Sequence, residues 1–268
     1  MALTRTTRLS LRAVALGYLF VLLLIPLAMI FYRTFEGGLA AFWAQVTTPA
    51  SIAAIQLSLT IVAIVVPLNV VFGVVTALAL ARGRFPGRGL VQAIVDLPFA
   101  VSPVIVGVSL ILLWGAGGWL GGLADAGIHV IFSLPGMVLA TIFVTLPFVV
   151  REVEPVLQEV GDEQEEAAAT LGASRLQTFG RITLPAIRWG LVYGVVLTVA
   201  RALGEFGALL VVSGGVSGDS QTLTLLVHAR YIDDHNVFGA YAASTVLMAF
   251  ALVTLLLMTT LDSRRKAT

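Results

Sequence analysis

Residues 13–32 form a run of 20 residues without a single charge, set between Arg12 and Arg33. A helix needs about 20 apolar residues to cross the roughly 30 Å hydrocarbon core of a bilayer. Comparable runs recur at 52–81, 90–114, 134–150, 189–213 and 237–261. This pattern predicts an all-α integral membrane protein with six transmembrane helices. Composition agrees: 58% of residues are apolar and 12% charged, the latter about half the share of a soluble domain. Such a chain is too apolar for disorder. A net charge of +1, with no basic stripe, excludes a nucleic-acid binder. Zero cysteines exclude disulfides, thiolate metal sites, iron–sulfur ligation and thiol catalysis. His129, His228 and His235 have no ligand-like spacing, so no metal site is expected.

Basic residues in short loops set orientation. With a cytoplasmic N-terminus, Arg5, Arg8, Arg12, Arg82, Arg84, Arg88, Arg151, Arg175, Arg181, Arg188, Arg264, Arg265 and Lys266 all lie inside. Only Arg33 and Arg230 lie outside, and Arg201 falls within the fifth run. The expectation is a multi-pass protein with both termini cytoplasmic. The first run is longer than a signal-peptide h-region and no A-x-A site follows, so it reads as an uncleaved span. Seven residues follow the sixth run, which predicts no soluble domain there.

The segment 151–188 is the one long polar stretch between spans, with Glu152, Glu154, Glu159, Asp162, Glu163, Glu165 and Glu166. Asp162 with Glu165 has the spacing of a capping box, and good helix formers follow through Leu171. Gly172 stands where a C′ glycine ends a helix. Ser174 with Gln177 opens a second short helix by the same capping logic, carrying an apolar ridge of Leu176, Phe179 and Ile182. Pro185 is expected to break the chain before the fifth span. A helix–glycine–helix elbow with an apolar ridge should dock on something.

Glu166-Ala167-Ala168, three residues, Gly172, nine residues, Ile182, one residue, Leu184-Pro185 resembles the EAA loop of ABC-importer permeases at every fixed position and in every gap. The resemblance implies a type I importer (MetI-like) fold, spans two to six forming the core and span one wrapping its side. It implies that Glu166, Ala167, Ala168, Gly172, Leu176, Phe179, Ile182, Leu184 and Pro185 couple to a separate ATPase subunit. The chain itself has no G-x-x-x-x-G-K-[ST] loop, and its one lysine is Lys266. ATP and magnesium are therefore expected on the partner, with no cofactor and no enzyme activity here.

In the fifth run, Arg201 and Glu205 are four apart and able to pair on one helix face. A charge at that depth costs roughly 2.5–3.5 kcal/mol on an insertion scale. The pair either fixes packing or lines a path or gate with an electrostatic role toward an anion. The stretch 201–208 resembles that of the sulfate/thiosulfate and molybdate permease family. Residues 96–103, 151–155 and 220–225 resemble the W-type subunits of sulfate importers. Arg201, Glu205, Asp96 and Ser102 are accordingly the path or gate candidates, although Asp96 also suits an interfacial cap of a broken helix. The resemblance further implies a related T-type permease as heterodimer partner, an extracytoplasmic sulfate-binding protein, and a bacterial cell membrane as the location. Molybdate or tungstate is the alternative substrate. An ion-coupled secondary anion transporter is the rival class, but it would need titrating intramembrane carboxylates and paired repeats. Only Glu205 and Asp96 qualify, and no repeat is visible.

Overall fold

The computed structural model describes residues 5–265. Lys266 lies outside them, as do the side chains of Arg5, Arg8, Arg264 and Arg265. Every regular element among the described residues is a helix. α1 (Arg5–Leu19) continues through a π-helical turn at Phe20–Leu24 into α2 (Ile25–Phe35). α3 (Gly38–Val46) leads to α4 (Pro49–Arg82), 34 residues that pass Pro67 without interruption. Thr48 caps α4 by accepting from the Ser51 N–H, and Pro49 occupies the first turn, where no N–H is needed.

α5 (Arg88–Ala100) and α6 (Pro103–Trp114) meet at a bend of 113°. Val101 and Ser102 are extended there, as expected of residues leading into a proline. After the single turn of α7 (Gly122–Asp125), α8 (Leu134–Val160) runs 27 residues. α9 (Glu163–Thr170), α10 (Arg175–Thr178) and α11 (Leu184–Leu203) follow, then α12 (Gly207–Val212), α13 (Leu223–His228) and α14 (Val237–Arg265). Five helices are long and apolar enough to cross a membrane, and the bent α5–α6 pair makes a sixth crossing when taken as one span.

Three expectations change. Residues 151–160 are not loop but the last turns of α8. Pro185 does not break the chain, because α10, a π turn at Phe179–Thr183 and α11 form one helix from Arg175 to Leu203. In that wider turn the Leu184 N–H bonds the Phe179 carbonyl, so the register has shifted just before the proline ring, which would otherwise meet the carbonyl four residues back. The fifth apolar run is two helices, with Gly204, Glu205 and Phe206 between them.

α4 and α8 pack in parallel at a constant offset of 76 residues. Asn69 Nδ2 donates to Thr145 Oγ1 at 2.6 Å, and a Cβ on Gly73 would lie 2.7 Å from Val149. α11 packs antiparallel on α8. A Cβ on Gly190 would be 2.5 Å from the Glu152 carbonyl oxygen, and one on Gly194 2.9 Å from the Val149 Cα. These glycines let backbones approach as small residues do in membrane bundles. At the arginine-bearing end the core is Val74, Ala77, Leu80, Val149, Val153, Leu157 and Ile187. At the opposite end it is Ile61, Val65, Met137, Ala208, Leu209 and Val212. The apolar window of the first span, by contrast, buries nothing against the rest of the chain.

Candidate functional site

At the arginine-bearing end, α9 and α10 form the elbow. Gly172 has φ +83, the left-handed conformation of a C′ glycine. The Ala173 N–H bonds the Ala168 carbonyl and the Gly172 N–H the Ala169 carbonyl, both at 3.0 Å, the pair of bonds that defines a Schellman ending. Ser174 and Gln177 make the reciprocal capping box at the start of α10. Asp162 does not make one: its side chain caps nothing, and the Glu165 carboxylate turns away to Arg82 and Thr183. Those two anchors remove Glu165 from the role its spacing suggested.

Glu166, Ala167 and Gly172 are exposed, Ala168 is half-buried, and Leu176 is 84% exposed. Leu184 and Pro185 are exposed higher on the same rod. The expected ridge splits, because Phe179 packs into the core cluster around Leu157 and Ile187, and Ile182 is half-buried. A residue missing from the ridge is Leu171, 87% exposed beside the glycine. Its place immediately before a C′ glycine, outside the helical repeat, was the available signal.

A second site lies in mid-membrane. Continuing the α8–α11 register from Gly190 and Gly194 places Arg201 level with Thr141 and Ile142, the middle of the apolar part of α8. Arg201 Nη1 stands 2.7 Å from Glu205 Oε2. Glu205 is buried, while about a third of the Arg201 side chain is exposed. Glu205 Oε1 accepts the Ala208 N–H at 2.9 Å, and its backbone carbonyl accepts Thr224 Oγ1 at 2.7 Å. One residue thus joins the last turn of α11 to the start of α12 through its carboxylate and ties both to α13 through its backbone carbonyl.

The α5–α6 break lies against this one. A Cβ on Gly207 would be 3.2 Å from the Pro103 Cβ, and one on Gly107 2.9 Å from the Ala208 carbonyl oxygen. Ser102, in that break, is exposed. Asp96 is not part of this group. Its carboxylate takes two hydrogen bonds from Arg151, at 2.8 and 3.0 Å, and Arg151 lies over the Phe99 ring at 4.7 Å. Arg151 belongs to α8, roughly 15 Å closer to the arginine-bearing end than Arg201 by helical rise. The cap role that Asp96 was offered is therefore taken over by an interhelical pair.

An apolar bundle with a bent span and an exposed helical elbow is the architecture of a membrane permease. Residues 69–267 match the family described as binding-protein-dependent transport system inner membrane component. The chain belongs to this family: it is the permease subunit of an ABC importer, and ATP hydrolysis is done by a separate subunit. It is 50% identical over 94% of its length, and 91% of the relative's, to the sulfate transport system permease protein CysW of Synechocystis sp. (strain ATCC 27184 / PCC 6803 / Kazusa). It is 46% identical to the CysW protein of Escherichia coli (strain K12), covering 91% of this chain and 84% of that one. The CysT permease of the same organism is 37% identical, covering 93% and 90%. Among solved structures, a bacterial alginate ABC transporter in complex with alginate pentasaccharide-bound periplasmic protein aligns with TM-score 0.80 at 19% identity, over 97% of this chain and 94% of that one. That likeness shows the fold.

Proposed function

We propose that this chain is the W-type permease subunit of an ATP-driven sulfate importer. The observation that carries the ATP-driven part is the elbow: a glycine-set turn that holds Leu171 and Leu176 out from the protein. The sulfate part is supported by relatives at 46–50% identity that bear the name of sulfate permease CysW. The arginine-bearing end is cytoplasmic, by the basic asymmetry of the loops. An ATPase subunit seats on Leu171, Leu176 and the exposed face of Glu166–Ala167. A T-type permease completes the membrane pair, and an extracytoplasmic binding protein delivers sulfate to the opposite end.

In the path itself the roles of the two mid-membrane charges differ. Glu205 is buried, with Oε1 on the Ala208 N–H and Oε2 against the Arg201 guanidinium, so it holds the break in shape. Arg201 keeps exposed surface at a depth where lipid would penalise it, so that surface faces the path or the partner subunit. A guanidinium there offers a fork of donors to a passing tetrahedral oxyanion. Ser102 lies in the α5–α6 break, whose Pro103 packs on Gly207, and Asp96 with Arg151 forms a second charged level nearer the cytoplasm.

The test is uptake of radiolabelled sulfate into vesicles carrying the assembled complex. ATP-dependent accumulation, indifferent to a protonophore and outcompeted by unlabelled sulfate rather than molybdate, is the expected result. ATP-dependent uptake of molybdate without sulfate would overturn the substrate, and uptake driven by an ion gradient without ATP would overturn the class.

A further inference from the structure

No residue of α9 is buried. Beneath the elbow lies a crevice of about 330 Å³ whose lining includes Leu78, Ala169, Ala173 and Phe179. Apolar packing therefore does not fix α9 in place, and polar contacts have to. Arg82, in the last turn of α4, supplies them. Its Nη1 donates to the Leu157 carbonyl at 2.8 Å, which also accepts the Gly161 N–H at 3.3 Å, and its Nη2 donates to the Gly161 carbonyl, so the guanidinium grips the C-terminal end of α8. Its Nε donates to Glu165 Oε2 at 3.3 Å. Glu165 Oε1 in turn accepts Thr183 Oγ1 at 2.8 Å, and Thr183 is buried inside the π turn that leads into α11. One arginine and one carboxylate thus join α4, α8, α9 and α11.

We infer that Glu165 is a positioning residue that makes the coupling elbow move as one body with α4, α8 and α11. The inference rests on the reading that the elbow seats the ATPase. The rod of α10 and α11 reaches Arg201 and the mid-membrane break, 18 residues beyond Thr183, and this clamp is what ties α9 to that rod and to α4 and α8. An isolated ion pair at this exposure, about one fifth on each side chain, adds little to stability. Here the charges also serve two helix-end carbonyls and a buried hydroxyl, and their work is transmission rather than stability.

The experiment uses the complete complex in nanodiscs and compares wild type, Glu165→Ala, Thr183→Val and the swapped pair Arg82→Glu with Glu165→Arg. The readouts are ATPase retention, sulfate moved per ATP hydrolysed, and the distance distribution between spin labels at Gln164→Cys and Gly180→Cys. The chain has no native cysteine to interfere. Glu165→Ala is expected to retain the ATPase and hydrolyse ATP while sulfate moved per ATP falls about tenfold, the size of an ordinary coupling energy. Its label distances should broaden, and the swapped pair should restore part of the transport ratio. An unchanged ratio with unchanged label distances in Glu165→Ala overturns the clamp. If wild type fails to hold the ATPase through the elbow while the labels still broaden in Glu165→Ala, the docking reading fails and the clamp stands.

Discussion

The elbow at the arginine-bearing end and the break in mid-membrane solve the same problem, how to end one helix and begin another, by opposite means. At the elbow the chain does it locally. A glycine with positive φ closes α9, and Ser174 and Gln177 open α10 within a few residues. At the break it is done at long range and with charge. The Glu205 carboxylate caps Ala208 and holds Arg201, while Thr224, 19 residues away, holds the Glu205 carbonyl. Water is at hand to satisfy a frayed helix end at the elbow. In mid-membrane there is none, so each freed polar group needs a protein partner. Changes at the elbow should therefore cost partner binding, and changes at the break should cost the fold as well.

Glu205→Ala sets the largest expected effect. It leaves an arginine without its counter-charge and Ala208 without its acceptor, a loss of about 3–5 kcal/mol for a broken buried pair. Membrane abundance on immunoblots should drop about tenfold, with uptake abolished. Arg201→Ala should keep more protein than Glu205→Ala, since it leaves the Glu205 Oε1 bond to the Ala208 N–H in place. The double alanine variant, with Ala208 still lacking its acceptor, should regain part of the lost abundance but not sulfate uptake. Recovery of both would make the pair purely structural.

Gly172→Val comes next. A β-branched residue strongly resists φ near +83. Insertion and abundance should stay near wild type while ATPase co-purification and uptake fall about tenfold. A drop in abundance equal to that of Glu205→Ala would erase the contrast between the two regions. Ser174→Ala is the smallest. Loss of an N-cap costs about 1 kcal/mol, and that cost falls on a short helix continuous with α11. Uptake should fall by no more than about fivefold, with the protein otherwise intact.

The difference between the regions also explains what was legible in the sequence. Gly172, Ser174 and Gln177 act within a few residues of themselves, so spacing alone placed the elbow. The Arg201–Glu205 pairing was legible for the same reason, being one helical turn. That the carboxylate also starts α12 was not, because Gly207 against Pro103 and Thr224 against Glu205 are contacts between distant segments. Glu165 was read as a local cap and turned out to be claimed by Arg82, 83 residues earlier. Phe179 was assigned to the docking ridge by periodicity, but the π turn at Phe179–Thr183 alters that periodicity and Phe179 packs into the core. The continuation of α8 past Val150 was hidden because charges mark the end of the membrane, not the end of a helix.

Because the chain lacks cysteine, the central claim, that ATP-driven force enters through this elbow, has a clean measurement. Leu171→Cys or Leu176→Cys in the assembled complex is treated with a short bifunctional crosslinker against single cysteines placed across the ATPase surface, with and without ATP. Crosslinks from both positions to the ATPase, whose yield changes on ATP binding while a control at Trp119→Cys gives none, are expected. Failure of both leucine positions to crosslink in a complex that transports sulfate would contradict the claim.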